Sequence, residues 1–264
     1  GLVRVGRAPA GVGAGGALSG GDTFLLGDCE LEDLVLEEVD AEVERFTFMS
    51  NLSASALPIA SPSAAGLLSV SFLNCFAGGV MFQWGEGVKP SVSFLDDGRE
   101  VDDGLERVEV QVLPIGLPCV TLVVNGVEIP ALFDTGSPIS VMNRAAATAV
   151  GIEIEEEPKT STPRNPFARI AQNWKDSKAA SQSDSLMIAG ANGERVILRK
   201  MKEGASMTLG RVSFGDNVRC FVGDLPGLAA LDGLGLNAPP AAILGMDLLL
   251  KRPKVVYKRT EVFL

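Results

Sequence analysis

An Asn-Gly pair, Asn125-Gly126, separates two runs of strand-forming residues and constrains the fold more than any other feature of the sequence. The run before it covers residues 119–124, and the run after it covers residues 127–133. Asn and Gly tolerate the positive φ angles of a two-residue hairpin turn, so the pattern predicts two paired antiparallel strands. Residues 105–112 alternate between apolar and polar side chains, which is typical of a half-buried strand.

Further turns point to the same fold class. Short strand-like runs flank Ala191-Asn192-Gly193 and Gly210-Arg211, and each pattern predicts another hairpin. Helical patterns are few. Residues 144–150 follow Asn143, a good N-cap, and precede a glycine, so they predict a short helix. A second candidate helix begins near Pro166, inside a polar stretch at residues 157–184 that reads as an exposed insertion. The chain is therefore predicted to be all-β, that is mainly β with few short helices.

An internal repeat indicates how the chain is organised. Three segments of the second half resemble segments of the first half in the same order: residues 208–214 resemble 25–31, residues 242–249 resemble 66–73, and residues 255–257 resemble 80–82. The repeat predicts two copies of one β-rich unit. We expect a partial, degenerate first unit over residues 1–88, a linker over residues 89–104 and a second unit over residues 105–264. The counterpart of residues 119–151 would fall before Gly1, so we expect the first unit to be truncated in this chain.

The absence of histidine limits the chemistry. The 264 residues include no histidine, which excludes a Ser-His-Asp triad, a Cys-His dyad and any histidine-ligated metal site within this chain. The net charge of −10 disfavours nucleic acid and anionic membranes as partners. Acid–base chemistry would therefore depend on carboxylates, lysine, tyrosine or cysteine.

The four cysteines, Cys29, Cys75, Cys119 and Cys220, are widely spaced and form no C-x-x-C pair. This spacing suggests neither a zinc site nor a redox dithiol, and we expect no metal and no cofactor. Because so few cysteines do not form a disulfide framework, an intracellular or plastid setting is favoured over secretion, although the compartment stays open.

One acidic loop carries the strongest functional signal. A hydrophobic run, residues 130–133, leads into Asp134-Thr135-Gly136-Ser137, and Ile243-Leu244-Gly245 follows later in the chain. Between them lies the glycine-bounded turn Gly190-Ala191-Asn192-Gly193. An Asp-Thr-Gly triplet alone is a weak signal, because an Asp that caps a local turn has the same sequence. The three elements in this order raise its value.

These residues resemble the retropepsin-like aspartic peptidases, over residues 105–264. In that family an Asp-Thr/Ser-Gly loop supplies one catalytic aspartate, a hydrophobic-hydrophobic-glycine element packs behind the loop, and a glycine-tipped hairpin forms a flap. The resemblance implies an acid-protease-like closed β-barrel lobe, here duplicated with a truncated first lobe. That first lobe has Ser69 where the second has Gly245, and it contains no Asp-Thr/Ser-Gly triplet.

The resemblance also implies roles for the residues. Asp134 would be the catalytic carboxylate, Thr135 would fix the loop through its hydroxyl, and Gly136 would admit the substrate. Ser137 is expected to hydrogen-bond the Asp134 carboxylate. Gly190 to Gly193 would form the flap that grips an extended polypeptide substrate, and Ile243 to Gly245 would support the loop.

A single aspartate is half of such a site. Two carboxyls a few ångströms apart share one proton and so provide an acid and a base together. The second aspartate would come either from a lobe upstream of Gly1 or from a second chain in a homodimer. The expected function is an aspartic endopeptidase that hydrolyses peptide bonds by activating water. The alternatives are an inactive pseudo-peptidase that binds extended peptides, and a structural β-domain without cleft chemistry.

Overall fold

The structure is a computed structural model that describes residues 2–7, 11–13, 16–18, 20–36, 41–56, 66–85, 87–95, 101, 104–114, 116–154, 185–189, 195–225, 228 and 241–264. Within these ranges the chain forms twenty strands and three short helices, so the mainly β fold predicted from the sequence is confirmed. No helix among the described residues is long and apolar enough to cross a membrane.

The elements of the N-terminal part are β1 (Val3–Arg7), β2 (Gly11–Gly13), β3 (Gly16–Leu18), β4 (Asp22–Leu36), β5 (Ala41–Ser55), α1 (Val70–Leu73), β6 (Gly79–Gln83) and β7 (Ser91–Leu95). Strands β1, β4 and β5 form one antiparallel sheet, and β2 pairs with β3. Strand β7 lies inside the predicted linker and pairs along its whole length with β6. Residues 91–95 of the predicted linker therefore form a strand, and the domain boundaries stay a prediction.

The elements of the C-terminal part are β8 (Arg107–Glu109), β9 (Gln111–Val112), β10 (Pro118–Val124), β11 (Val127–Phe133), β12 (Val141–Met142), α2 (Arg144–Ala149), β13 (Ser185–Ala189), β14 (Arg195–Lys200), β15 (Ala205–Leu209), β16 (Val212–Val218), β17 (Phe221–Val222), β18 (Ala242–Leu244), α3 (Met246–Leu249), β19 (Lys254–Lys258) and β20 (Glu261–Phe263). The predicted strand over residues 105–112 is split into β8 and β9. It breaks at Val110, whose N–H donates to the Thr260 carbonyl oxygen at 2.8 Å.

Ten strands of the C-terminal part form one sheet in the order β13-β14-β17-β12-β18-β11-β10-β15-β16, with β9 also paired to β10. The predicted hairpin is present: β10 and β11 pair from Val124 opposite Val127 to Cys119 opposite Leu132. Asn125 and Gly126 have φ angles of 49° and 82°, as a turn with two left-handed residues requires. The described pairings leave β13 and β16 at opposite ends of the sheet, so they do not themselves close a barrel.

Helix α2 confirms the helix predicted from its capping residues. The Asn143 side chain accepts a hydrogen bond from the Ala146 N–H at 2.8 Å, and Gly151 has a φ of 72° just after the helix. Ala146 and Ala147 are fully buried, which fastens the helix to the main core. The second predicted helix, near Pro166, and the insertion at residues 157–184 lie outside the described residues.

A separate five-stranded sheet joins the two parts of the chain, in the order β7-β6-β19-β20-β8. Two of the three repeated segments agree in local structure at least in part: α1 matches α3 and β6 matches β19, although residues 242–244 form a strand and residues 66–69 do not. The third pair does not. Gly210 lies in the turn between β15 and β16, whereas Gly27 lies at a bulge inside the continuous strand β4. The predicted equivalence of residues 25–31 and 208–214 is therefore wrong, because β5 pairs with β4 on both sides of Gly27.

Candidate functional site

Strand β11 delivers Asp134 to the centre of the large sheet. It pairs with β10 on one side and, in parallel, with β18 on the other, with Phe133 opposite Leu244. The Asp134 N–H then donates to the Leu244 carbonyl oxygen at 3.1 Å. Because both neighbours of β11 are themselves paired, the aspartate stands at the end of a rigid element rather than on a free loop.

The turn after β11 holds the Asp134 carboxylate by a local contact. The Gly136 N–H donates to Asp134 Oδ1 at 2.9 Å, and the Ser137 N–H donates to the Asp134 carbonyl oxygen at 3.2 Å. The Asp134 side chain is only half-buried, so it stays open to a ligand or to water. The carboxylate is thus oriented by a backbone donor and presented at the surface.

The expected role of Ser137 needs a correction. Its hydroxyl donates to the Ile139 carbonyl oxygen at 2.7 Å rather than to the Asp134 carboxylate. The chain bends at Pro138, and this bend brings the Ile139 carbonyl back over the serine side chain. Ser137 therefore shapes the loop, and the role expected for Thr135 stays a prediction.

Gly245 lies close to the loop that follows Asp134. The Met246 N–H donates to the Ser137 carbonyl oxygen at 2.8 Å. A Cβ atom on Gly245 would stand 2.4 Å from the Ile139 carbonyl oxygen, closer than real Cβ contacts allow. Its own φ of −100° suits any residue, so the close approach of two backbones is what requires glycine here.

A buried hydroxyl, which the sequence analysis missed, ties the loop to the element behind it. Ser140 Oγ donates to Asp247 Oδ1 at 2.6 Å and accepts the Gly245 N–H at 2.9 Å. Asp247 Oδ1 also accepts the Leu248 N–H at 2.9 Å, at the start of α3. In the sequence, only Asp247, two places after Gly245, could have indicated this contact. Nothing near Ser140 indicates it, because its partners lie more than a hundred residues away.

Asn143 adds a second anchor behind the loop. Besides capping α2, its side-chain oxygen accepts the Ala241 N–H at 3.1 Å, and its own N–H donates to the Ala241 carbonyl oxygen at 2.9 Å. Asn143 is buried, with 1% of its surface exposed. One side chain thus joins the end of β12, the start of α2 and the start of β18.

The predicted flap is described only in its arms. Strands β13 and β14 pair from Ser185 opposite Arg199 to Ala189 opposite Arg195, which confirms a hairpin at this place in the chain. The four predicted flap residues, Gly190, Ala191, Asn192 and Gly193, lie outside the described residues. Strand β14 continues through β17 and β12 to β18, so the hairpin and the Asp134 loop belong to one sheet.

Two ionisable groups near the site have shifted pKa values. Burial, together with the negative charge of Asp247, raises the pKa of the Cys220 thiol to about 12. Burial also raises the pKa of Tyr257, although Arg259 opposes that shift. The Tyr257 ring stacks on Phe133, the residue before Asp134, at a centroid distance of 5.9 Å. Both side chains therefore stay protonated and uncharged at neutral pH, so neither adds a charge near Asp134.

The described residues contain no cluster of three or more metal-ligating side chains. They do contain a half-exposed carboxylate on a rigid strand end, with one oxygen held by a backbone N–H and the loop braced from behind. The backbone N–H thus holds one carboxylate oxygen in a defined position. That is the property needed of a general base or acid.

Comparison with known proteins shows which family and which solved structures parts of this chain are similar to. Residues 120–166 match the model of the aspartyl protease family. A retropepsin-like aspartic protease from Rickettsia conorii is similar at 14% identity and a TM-score of 0.33, over 61% of this chain and 89% of that one. The search of curated proteins found no match. The matched segment contains Asp134-Thr135-Gly136, so the expected resemblance to aspartyl proteases is confirmed for this segment.

Proposed function

We propose that this protein is an aspartic endopeptidase in which Asp134 is one of the two carboxylates that activate water. The bracing of the Asp134 loop supports the proposal best. Asp134 is hydrogen-bonded through its N–H to Leu244, and Ser137 is hydrogen-bonded through its carbonyl oxygen to Met246. A turn with a purely local role would not need support from residues more than a hundred positions away.

The chemistry follows from pairing Asp134 with a second carboxyl. Two such groups a few ångströms apart cannot both ionise, so they share one proton. The ionised carboxyl takes a proton from the attacking water, and the protonated one gives its proton towards the peptide group, as in aspartic proteases generally. The second carboxyl would come from another lobe of the polypeptide or from a second copy of the chain.

The substrate would be an extended polypeptide. The hairpin β13–β14 stands at one end of the sheet that carries Asp134, in the position along the chain that the family resemblance assigns to a flap. A flap over an extended segment can bond its backbone as an added strand and keep bulk water out. In the proposal, residues 190–193 form the tip, and each lobe closes into an acid-protease barrel in a duplicated arrangement.

The test is cleavage of an unfolded protein substrate between about pH 4 and 7, because the pair must hold one protonated and one ionised carboxyl. The parent chain is compared with Asp134→Asn and with Glu128→Gln, which removes one exposed carboxylate from the same strand β11. Asparagine retains an oxygen for the Gly136 N–H, so Asp134→Asn should keep the melting temperature of the parent and lose all cleavage.

The control variant Glu128→Gln should cleave the substrate at the same rate as the parent chain. Peptide binding by Asp134→Asn with no cleavage by the parent would instead identify the pseudo-peptidase. Absence of both binding and cleavage would contradict the proposal and leave a structural β-domain.

A further inference from the structure

The segment Leu244-Gly245-Met246 bonds to the Asp134 loop through three successive residues. The Leu244 carbonyl oxygen accepts the Asp134 N–H at 3.1 Å, and the Met246 N–H donates to the Ser137 carbonyl oxygen at 2.8 Å. Both bonds join backbone groups, so neither depends on the side chains of these residues. The Gly245 N–H, which lies between them, donates to a side chain instead.

Ser140 provides that side chain, and the direction of its two hydrogen bonds is fixed. Ser140 Oγ lies 2.9 Å from the Gly245 nitrogen and 2.6 Å from Asp247 Oδ1. Because an N–H group can only donate, Ser140 Oγ accepts from Gly245, and its single proton is left for Asp247. Ser140 is buried, with 3% of its surface exposed, so bulk water does not replace a lost bond there.

The Asp247 carboxylate keeps the serine hydroxyl in this direction. Its Oδ1 accepts the Ser140 O–H and also the Leu248 N–H at 2.9 Å. An oxygen that accepts from two donors has no proton to give to the serine. Besides burial, the negative charge of Asp247 raises the pKa of the neighbouring Cys220 thiol, which therefore stays uncharged at neutral pH. Asp247 is thus a fixed acceptor for the serine proton.

The Ser140 bond lies where the two backbones are nearly in contact. A Cβ atom on Gly245 would stand 2.4 Å from the carbonyl oxygen of Ile139, the residue before Ser140. The Ser140 carbonyl oxygen also accepts the Phe221 N–H at 3.1 Å, at the start of β17. Ser140 therefore joins the end of the loop to two elements of the sheet at once.

We infer that Ser140 and Asp247 are positioning residues for Asp134, and that Asp247 acts through Ser140 on the Gly245 N–H. This inference rests on the proposed function of Asp134. Without the Ser140 hydroxyl, the Gly245 N–H loses its acceptor, and the loop keeps only the bonds at Asp134 and Ser137. The Asp134 carboxylate is then free to shift relative to the carboxyl with which it shares a proton.

The first test compares the kcat and KM of peptide cleavage for the parent, Ser140→Ala and Ser140→Thr. The control is Val212→Ala, which shortens a buried side chain on β16, three strands away from β11 in the large sheet. We expect Ser140→Ala to lower kcat by about 10- to 100-fold and to keep KM within about twofold, because only the placement of the reacting carboxyl changes. Threonine keeps a hydroxyl and should recover most of the lost kcat.

The pH profile of kcat/KM separates positioning from a general loss of stability. Two carboxyls that share a proton titrate with two well-separated apparent pKa values, because each negative charge opposes the other. If Ser140→Ala lets Asp134 move away from its partner, these two values approach each other and the active pH range narrows. Val212→Ala should keep the profile of the parent. Ser140→Ala with the kcat and the pH profile of Val212→Ala would overturn the inference and leave the proposed function standing.

A double-variant cycle tests whether Asp247 acts through Ser140. Asp247→Ala should lower kcat about as much as Ser140→Ala does. The variant with both substitutions should have a kcat within about twofold of either single variant, because the second substitution removes a bond that is already lost. Multiplication of the two separate losses would show independent roles and would overturn the inference.

Amide hydrogen exchange tests the same inference without any need for activity. In Ser140→Ala, the amides of Asp134 and Met246 should exchange at least about 10-fold faster than in the parent. The Val110 amide, which donates to the Thr260 carbonyl oxygen at 2.8 Å away from this loop, should exchange as it does in the Val212→Ala control. Equal exchange of the loop amides in Ser140→Ala and the parent would overturn the inference. A selective increase in a chain that cleaves no peptide would retain the role of the pair in holding the loop and reject only the proposed function.

Discussion

Replacement of Gly245 by alanine tests the bracing of the Asp134 loop directly. The Gly245 backbone has φ −100° and ψ −177°, which alanine adopts without strain. The added Cβ, however, would stand 2.4 Å from the Ile139 carbonyl oxygen and 3.0 Å from that of Ser137. The substitution therefore tests the space beside Gly245 alone, because the backbone conformation suits alanine as well as glycine.

The size of the effect follows from how far the backbones must separate. Contacts under 3.0 Å are not tolerated, so the Ile139 carbonyl must move by at least 0.6 Å from its 2.4 Å position. Both elements are held, since the Met246 N–H bonds to Ser137 at 2.8 Å. Overpacking of this kind costs about 1–3 kcal/mol, and each kcal/mol lowers the melting temperature by roughly 2–4 °C in a chain of this size. On the proposed function, a shift that reached the Asp134 carboxylate and approached about 1 Å would reduce kcat/KM by up to about 100-fold.

The assay is thermal unfolding followed by circular dichroism, together with cleavage of an unfolded substrate. Gly66→Ala is the matched control, because a Cβ there would meet nothing within 4 Å. Both substitutions reduce the conformational entropy of the unfolded chain to a similar extent, which stabilises the folded protein by about 0.4–1 kcal/mol. Gly245→Ala with the melting temperature and the kcat/KM of the control would refute the argument that these backbones are in contact.

Three further outcomes are expected. Ser140→Ala removes the hydroxyl that accepts the Gly245 N–H and donates to Asp247. In urea titrations it should lower the free energy of unfolding by about 1–3 kcal/mol, and Ser140→Thr should restore part of the loss. Leu244→Ala should lower the free energy of unfolding by about 2–5 kcal/mol, whereas Leu68→Ala should lower it by under about 0.5 kcal/mol, because only Leu244 is buried. Equal losses would show that Leu68 is buried too. Cys220 keeps its proton in the folded chain up to a pKa of about 12, whereas the unfolded chain releases it from about 9. Its contribution to stability is therefore full below pH 9 and declines as the pH rises towards 12, so the urea midpoint should fall over that range, and less steeply in Cys220→Ala.

Predictions that depend on neighbouring residues were the accurate ones. The hairpin at Asn125-Gly126 and the helix capped by Asn143 are present because their turn and capping energies act within four residues. The turn at Asp134 is equally local, since its carboxylate is held by the Gly136 N–H only two residues away, while its catalytic role stays a prediction. These features were available from the sequence, and so was the exclusion of histidine chemistry.

Predictions that depend on distant partners were incomplete or wrong. The Ser137 hydroxyl was expected on the carboxylate, but the bend at Pro138 offers it the Ile139 carbonyl oxygen instead. Residues 25–31 were expected to be equivalent to residues 208–214, but Gly210 lies in a turn, whereas β5 pairs with β4 on both sides of Gly27.

The sequence by itself determined where a carboxylate site could lie: an acidic loop at the end of a buried strand, in a mainly β chain without histidine. Only the tertiary structure decided what braces that loop and which strands of the two halves of the chain pair. The Ser140–Asp247 bond and the β6–β19 pairing each join residues more than a hundred positions apart. The physical reason is that a strand edge or a buried hydroxyl accepts whichever partner the rest of the fold leaves beside it, and no local preference of the chain encodes that choice.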